Sequence, residues 1–379
     1  MLPVPAVSAP RLAGVLTSSL AGIQGRSNPF ELPPVTSAVV VLVDGLGAAN
    51  IQGRAGHARF LTGRMTKRDV TRTVFPSTTA AAIASFATGR MPGEHGLVGY
   101  RVLDSEHDRL VNQLNGWDEG MRPETWQRVP TLFETAAAEG VMSYAVGAAR
   151  YRDSGFTHAV LRGAEYRPAA SIADRFTEAA KLIASGEPAL VYLYVAELDQ
   201  AAHAYGWESD RWLTILEELD AALAAFEARM PRGAGLLVTA DHGVIDVPAH
   251  RHVFIDDHPE LLRGVRHVGG EPRCLALYAE PDLGDEATAA LLDGWREAEG
   301  HRAWVLGRDE AIEAGFYGGV AEEVRPRIGD VLIAARSAVA YYDRRESDRR
   351  AEAMIGQHGS LSDEETRVPL VRGGAFTRG

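Results

Sequence analysis

The chain has 379 residues, enough to bury a large core as one big domain or two smaller ones, and its 46% apolar and 24% charged residues are ordinary for a folded globular protein. A formal net charge of -12, from 51 acidic against 39 basic residues, excludes duplex nucleic acid and an anionic membrane as main partners. Cys274 is the only cysteine, so an intrachain disulfide is excluded; with no signal-peptide pattern at the start and no apolar run of membrane-spanning length, a cytoplasmic protein is expected.

Residues 1–35 are rich in Pro, Ser and Gly and read as an irregular lead-in with one short helix over 11–21; residues 36–379 follow as the main domain. Ala38–Val43 is a nearly continuous β-branched run, the pattern of a strand buried on both faces, and it ends in Asp44-Gly45. Thr73–Pro76 is extended, Pro76 and Ser77 break it, and the alanine-rich stretch from Thr79 to Thr88 predicts a helix closed by Gly89. Thr79 therefore falls at a helix start, where free N–H groups and the helix dipole favour an anion.

Residues 101–128 are polar and read as an excursion over the sheet. A helix over 131–138, a strand over 143–147, a helix over 172–184 and a second buried strand over 189–195 follow. That strand runs into Asp199 and, four residues on, His203. A long amphipathic helix over 210–230 leads to a third apolar strand over 236–240, ending in Asp241-His242-Gly243. Alternation of strands and helices predicts an α/β fold: a doubly wound, mostly parallel sheet with helices on both faces. About 250–320 is less regular and is expected to be a small inserted cap, before strand character returns at 327–335 and Gly356-Gln357-His358-Gly359 appears.

Each local pattern has a plain alternative. Asp-Gly is a common turn, Asp199 can simply cap a helix, and most lone histidines bind nothing. The coincidence is what matters. Three strand ends each deliver an acid and two of them also a histidine, the mixture of carboxylate and imidazole that suits zinc or a similar ion. Three acids, three histidines and a hydroxyl exceed one four-coordinate site and suffice for two, the arrangement that serves in-line phosphoryl displacement. Bound cations would also supply the local positive charge that this acidic chain lacks.

The ordered set Asp44-Gly-Leu, Thr79 nine residues before Thr88-Gly89, Pro92…His95-Gly96, Asp199-x3-His203-x2-Gly206, Asp241-His242-Gly243 and Gly356-x-His358-Gly359 resembles the type I phosphodiesterase/nucleotide pyrophosphatase family of the alkaline phosphatase superfamily, over about residues 38–375. The resemblance implies two divalent ions, with zinc the expected metal. It implies that Asp199, His203 and His358 hold one ion, that Asp44, Asp241 and His242 hold the other, and that Thr79 lies on the second as the nucleophile. A phosphoryl group would pass to Thr79 and water would then release it. Thr78 is the competing hydroxyl, and Thr79 is preferred by its spacing. Many members carry Asn where this chain has Tyr100, whose hydroxyl can also donate to a phosphate oxygen.

The expected activity is phosphodiester or phosphoanhydride hydrolysis on a small phosphorylated substrate, a nucleotide among the candidates. A phosphomonoesterase or phosphonate hydrolase on the same metal pair is the alternative within enzymes, and a catalytically silent binding protein is the alternative outside them. A sulfatase would need a modified Cys or Ser nucleophile, and Cys274 lies far from the Thr79 segment. Nothing in the pattern sets an oligomeric state.

Overall fold

The computed structural model describes residues 2–3, 11–345 and 349–378. Its centre is a seven-stranded sheet. Across it run Glu165–Pro168, Met142–Gly147, Ala189–Val195, Ser37–Val43, Ala234–Thr239, Arg367–Gly374 and Val70–Arg72, in that order. The first five are mutually parallel, and Arg367–Gly374 runs antiparallel to both of its neighbours. This is the doubly wound, mostly parallel sheet that the sequence predicts.

The uninterrupted apolar run Ala38–Val43 of the strand Ser37–Val43 follows from its position at the middle. Successive side chains point to opposite faces. Ala38, Val40 and Leu42 join one core with the helices Ala13–Ile23 and Thr79–Thr88. Val39, Val41 and Val43 join another with Ile172–Ile183 and Asp210–Glu227. Both faces are covered, so no polar position is tolerated until the strand ends.

The region expected as a cap is regular. Val265–Glu271, Cys274–Ala279, Ala303–Gly307 and Val331–Ala335 build an antiparallel sheet with Arg101–Asp104 and Arg109–Asn112, six strands in all. The 101–128 stretch thus contributes two strands, and Trp126 is buried. One face of this second sheet packs on the helix Asp285–Glu299 through Leu277, Trp295 and Ile333. The other face, with Ala276, Tyr278 and Leu332, joins the main core. Val331–Ala335 falls where strand character was expected, whereas Val265–Glu271 escapes sequence reading because charge and glycine interrupt it at Arg266, Gly269 and Gly270. The last central strand is hidden for the same reason, since it contains Pro369, Gly373 and Gly374, and Pro is usual only at sheet edges or strand starts.

Candidate active site

Three central neighbours in register determine the site. Val43 pairs with Val195 and Leu42 with Thr239, so the chain leaves all three strands at one level of the same rim. Asp44, the helix carrying Asp199, and Asp241 with His242 emerge there side by side. Ligand sites in open α/β sheets lie at such carboxyl ends.

Local structure then aims each group. Gly45 turns with φ +72 and its N–H donates to Asp241 Oδ1 at 3.2 Å. A Cβ at Gly45 would stand 3.0 Å from Asp199 Oδ1, so glycine both permits the turn and leaves room for the acid. Asp199 and His203 share one face of the helix Glu197–Tyr205, with His203 Nε2 3.2 Å from Asp199 Oδ2. The start of that helix is anchored by buried Arg175, which pairs with Glu197 at 2.6 Å. His203 Nδ1 donates to the Gly356 carbonyl at 2.7 Å, fixing its ring.

Thr79 is the first residue of the helix Thr79–Thr88, with Thr78 at the extended cap position. Its hydroxyl lies 3.2 Å from His242 Nε2, whereas Thr78 hydrogen-bonds Glu271. The hydroxyl preferred by spacing is the one beside His242. A clasp holds the segment before it. Ser77 N–H donates to Gly359 O at 3.1 Å and its hydroxyl to Ser360 O at 2.7 Å, while His358 Nδ1 donates to Ser77 O at 2.9 Å.

All seven predicted side chains meet. Asp44, Asp241 and His242 place ligand atoms within 4.8 Å of one another, and so do Asp199, His242 and His358. His242 thus stands between the two groups, its ring stacked on that of His358 at 3.6 Å. His203 is paired with Asp199, and its ring centroid lies 5.3 Å from that of His358.

Electrostatics shows what the site lacks. Burial, then the charges of Asp241 and Asp199, push the Asp44 carboxyl well above its usual range. Burial and Asp199 push Asp241 up to about 7. Burial lowers His242 to about 3 and His358 well below its normal value, leaving two neutral imidazoles. Burial also opposes the charge on His203, but Asp199 overcomes it and holds that ring up at about 9. Asp44 Oδ1, Asp199 Oδ1 and Asp241 Oδ2 are buried without a hydrogen-bond partner. Each such orphan costs about 1–3 kcal/mol. Clustered carboxylates with unpartnered oxygens beside neutral imidazoles are a donor set that fits divalent cations of the zinc type.

The acids border a cavity of about 540 Å³. Its far wall is apolar and aromatic, with Ile83, Phe156, Val160, Tyr166 and Tyr192. Half-buried Tyr100 and exposed Asn115 both line it. Sequence reading missed several groups here. Tyr194 donates a short hydrogen bond to Asp44 Oδ2, Glu271 reaches within 4.0 Å of His358 Nδ1, and Arg150 is the one arginine or lysine in the lining. Tyr194 was open to detection, because Tyr192 and Tyr194 share one face of a buried strand just before its catalytic end.

The fold is that of the alkaline phosphatase superfamily. The sequence matches the type I phosphodiesterase/nucleotide pyrophosphatase family over residues 38–361, and the chain belongs to that family. Membership makes it a hydrolase of phosphoric esters. Comparison with curated proteins finds no match. Among solved structures, murine ectonucleotide pyrophosphatase/phosphodiesterase 5 is similar at 19% identity and TM-score 0.66, covering 89% of this chain and 88% of that one. An inactive form of that murine protein has been solved in complex with AMP, and is 18% identical. Phosphonoacetate hydrolase from Sinorhizobium meliloti 1021, in complex with phosphonoformate, is similar at 20% identity and TM-score 0.69, covering 91% and 92%. At these identities the likeness establishes the fold.

Proposed function

We propose that the protein is a two-metal phosphodiesterase/nucleotide pyrophosphatase that forms a covalent phospho-threonine on Thr79. The observation that carries this reading is the Thr79 hydroxyl at a helix start, 3.2 Å from His242 and next to three buried acids with unpartnered oxygens. Asp199, His203 and His358 would hold one divalent ion, and Asp44, Asp241 and His242 the other, with zinc the favoured metal. Bound there, the ions supply Lewis acidity and neutralise the phosphoryl charge.

The chain's own residues do the rest. Thr79 Oγ1 attacks phosphorus in line, its P–O bond forming as the bond to the leaving oxygen breaks and its proton passing to solvent. Water then attacks the phosphothreonine, and the P–Oγ1 bond breaks to restore the hydroxyl. The helix N-terminus aims free N–H groups at the transferring oxygens. Tyr100 and Asn115 are placed to donate to the same group. The apolar wall excludes water and accepts the second arm of a diester, which a monoester lacks.

Thr79→Ala should lower turnover of an aryl phosphodiester by at least about 10³-fold. It should leave metal content unchanged, since every carboxylate and imidazole remains; a variant of wild-type activity refutes the nucleophile. One observation favours a second reading. Arg150, the one arginine or lysine lining the cavity among the described residues, would hold the carboxylate of a substrate such as phosphonoacetate. Turnover of phosphonoacetate faster than that of the aryl diester, lost in Arg150→Ala, would select it.

A further inference from the structure

A second recess, of about 300 Å³, shares no lining residue with the catalytic cavity. Into it face His250, Arg251, His252, His301, Arg302 and Ser337. Two guanidinium groups, three imidazoles and a hydroxyl line it, and among the described residues no carboxylate does. Glu299 neutralises Arg302 and Glu352 acts on His252, which leaves Arg251 as the unpaired guanidinium of the recess among the described residues.

Three separate stretches converge to make it. The short helical turn Ala249–Arg251 supplies His250 and Arg251 and leads into the strand His252–Phe254. The turn after the helix Asp285–Glu299 supplies His301 and Arg302, and the chain after Val331–Ala335 supplies Ser337. Arg302 is fixed as a wall by a bidentate pair to Glu299, at 2.6 and 2.7 Å. The other groups have spare capacity. The side chains of His250 and Arg251 have no hydrogen-bond or ion-pair partner among the described residues. The His252 ring bonds the Val247 backbone and its buried Nε2 is left unpartnered.

Three imidazoles could suggest a metal. Arg251 and Arg302 argue against that, because a cation brought among two guanidinium groups is repelled, and no His/Asp/Glu group of ligand spacing forms here among the described residues. A compact anion meets the opposite field. A phosphate group offers several acceptor oxygens to N–H donors in several directions, the geometry that arginine and imidazole match. Carrying a net charge of -12, the chain as a whole is repelled by an anionic membrane, which leaves a free solute as the occupant.

We propose that this recess is a second anion site, taking the phosphate group of a small soluble molecule through Arg251, His250 and His301. It is separate from the proposed reaction and does not depend on it. The test is equilibrium dialysis of the metal-loaded protein at pH 7 with radiolabelled inorganic phosphate, with wild type beside the double variant His250→Ala/Arg251→Ala. Both residues are exposed, so the variant should fold normally and keep its turnover of an aryl phosphodiester within about twofold. Wild type is expected to bind a phosphate that the variant binds at least about tenfold more weakly, as removal of charge-assisted contacts requires. Equal binding by the two proteins, or displacement of that phosphate by acetate at matched ionic strength, would overturn the proposal.

Discussion

Arg273 and Glu365 form an ion pair with no solvent exposure on either side chain. Two hydrogen bonds join them, at 2.9 and 2.7 Å. The remaining Arg273 donors meet the Ser337, Val339 and Ala335 carbonyls, and Glu365 also accepts from Ser360 N–H and the Ser362 hydroxyl. The pair bolts the second sheet to the segment that enters the last central strand, and the Glu365 carbonyl accepts from Gly243 N–H beside His242. Glu365→Ala removes the carboxylate and strands a guanidinium where water cannot reach it. Breaking one side of such a pair costs about 3–5 kcal/mol. At about 2 °C per kcal/mol for a chain this long, the melting temperature should fall by about 6–10 °C. Glu365→Gln keeps the shape and should cost less. The double change Arg273→Met/Glu365→Met removes both charges and should regain at least half of the loss. Thermal and urea unfolding with metal present would measure all three. A Glu365→Ala protein within about 0.5 kcal/mol of wild type would refute the reasoning, as would a double variant less stable than the single.

The seven-ligand reading predicts that chelation abolishes turnover and zinc restores it, and that Asp44→Ala lowers bound metal as measured by atomic emission; full activity after exhaustive chelation would contradict it. Gly359→Ala should lose both stability and activity, because φ there is +127 and a new Cβ would lie 2.5 Å from the Glu271 carboxyl carbon; an unaffected variant would show that Glu271 moves freely. In the ion-free protein His203 is held up at about 9, Glu271 at about 8 and Asp241 at about 7. Raised folded-state values mean that the folded form binds more protons than the unfolded, so stability rises as pH falls through them and is lost as pH climbs. Chelated protein should therefore melt progressively lower from pH 7 to 9.5. Below about 6.5 the lowered His242 and His358 act in the opposite direction. Metal-loaded protein, its acids held ionised and its imidazoles neutral, should show a flatter profile, and a chelated protein that melts higher at pH 9.5 than at 7 would disprove this.

The residues at strand ends were legible because burial on both faces forbids charge until a strand stops, so Asp44, Asp199 and Asp241 stand out against the apolar runs before them. Thr79 was legible for a similar reason, at the boundary between a proline break and an alanine helix. Arg150, Asn115 and Glu271 were not. They come from loops and from a glycine-rich strand of the second sheet, and only tertiary packing brings them to the cavity. Nor could spacing say which imidazole sits with which carboxylate. His203 is on the Asp199 helix, yet His242, from the neighbouring strand, occupies the place between both groups.

The Ser77 clasp makes the two ends of the polypeptide mutually dependent. A cut that frees residues beyond 355 would remove one ligand and, in the same stroke, untether the loop that presents the attacking oxygen. Limited proteolysis near Met354 should therefore yield dead enzyme with no partially working remnant, and complementation by a peptide spanning 356–378 should restore both functions together.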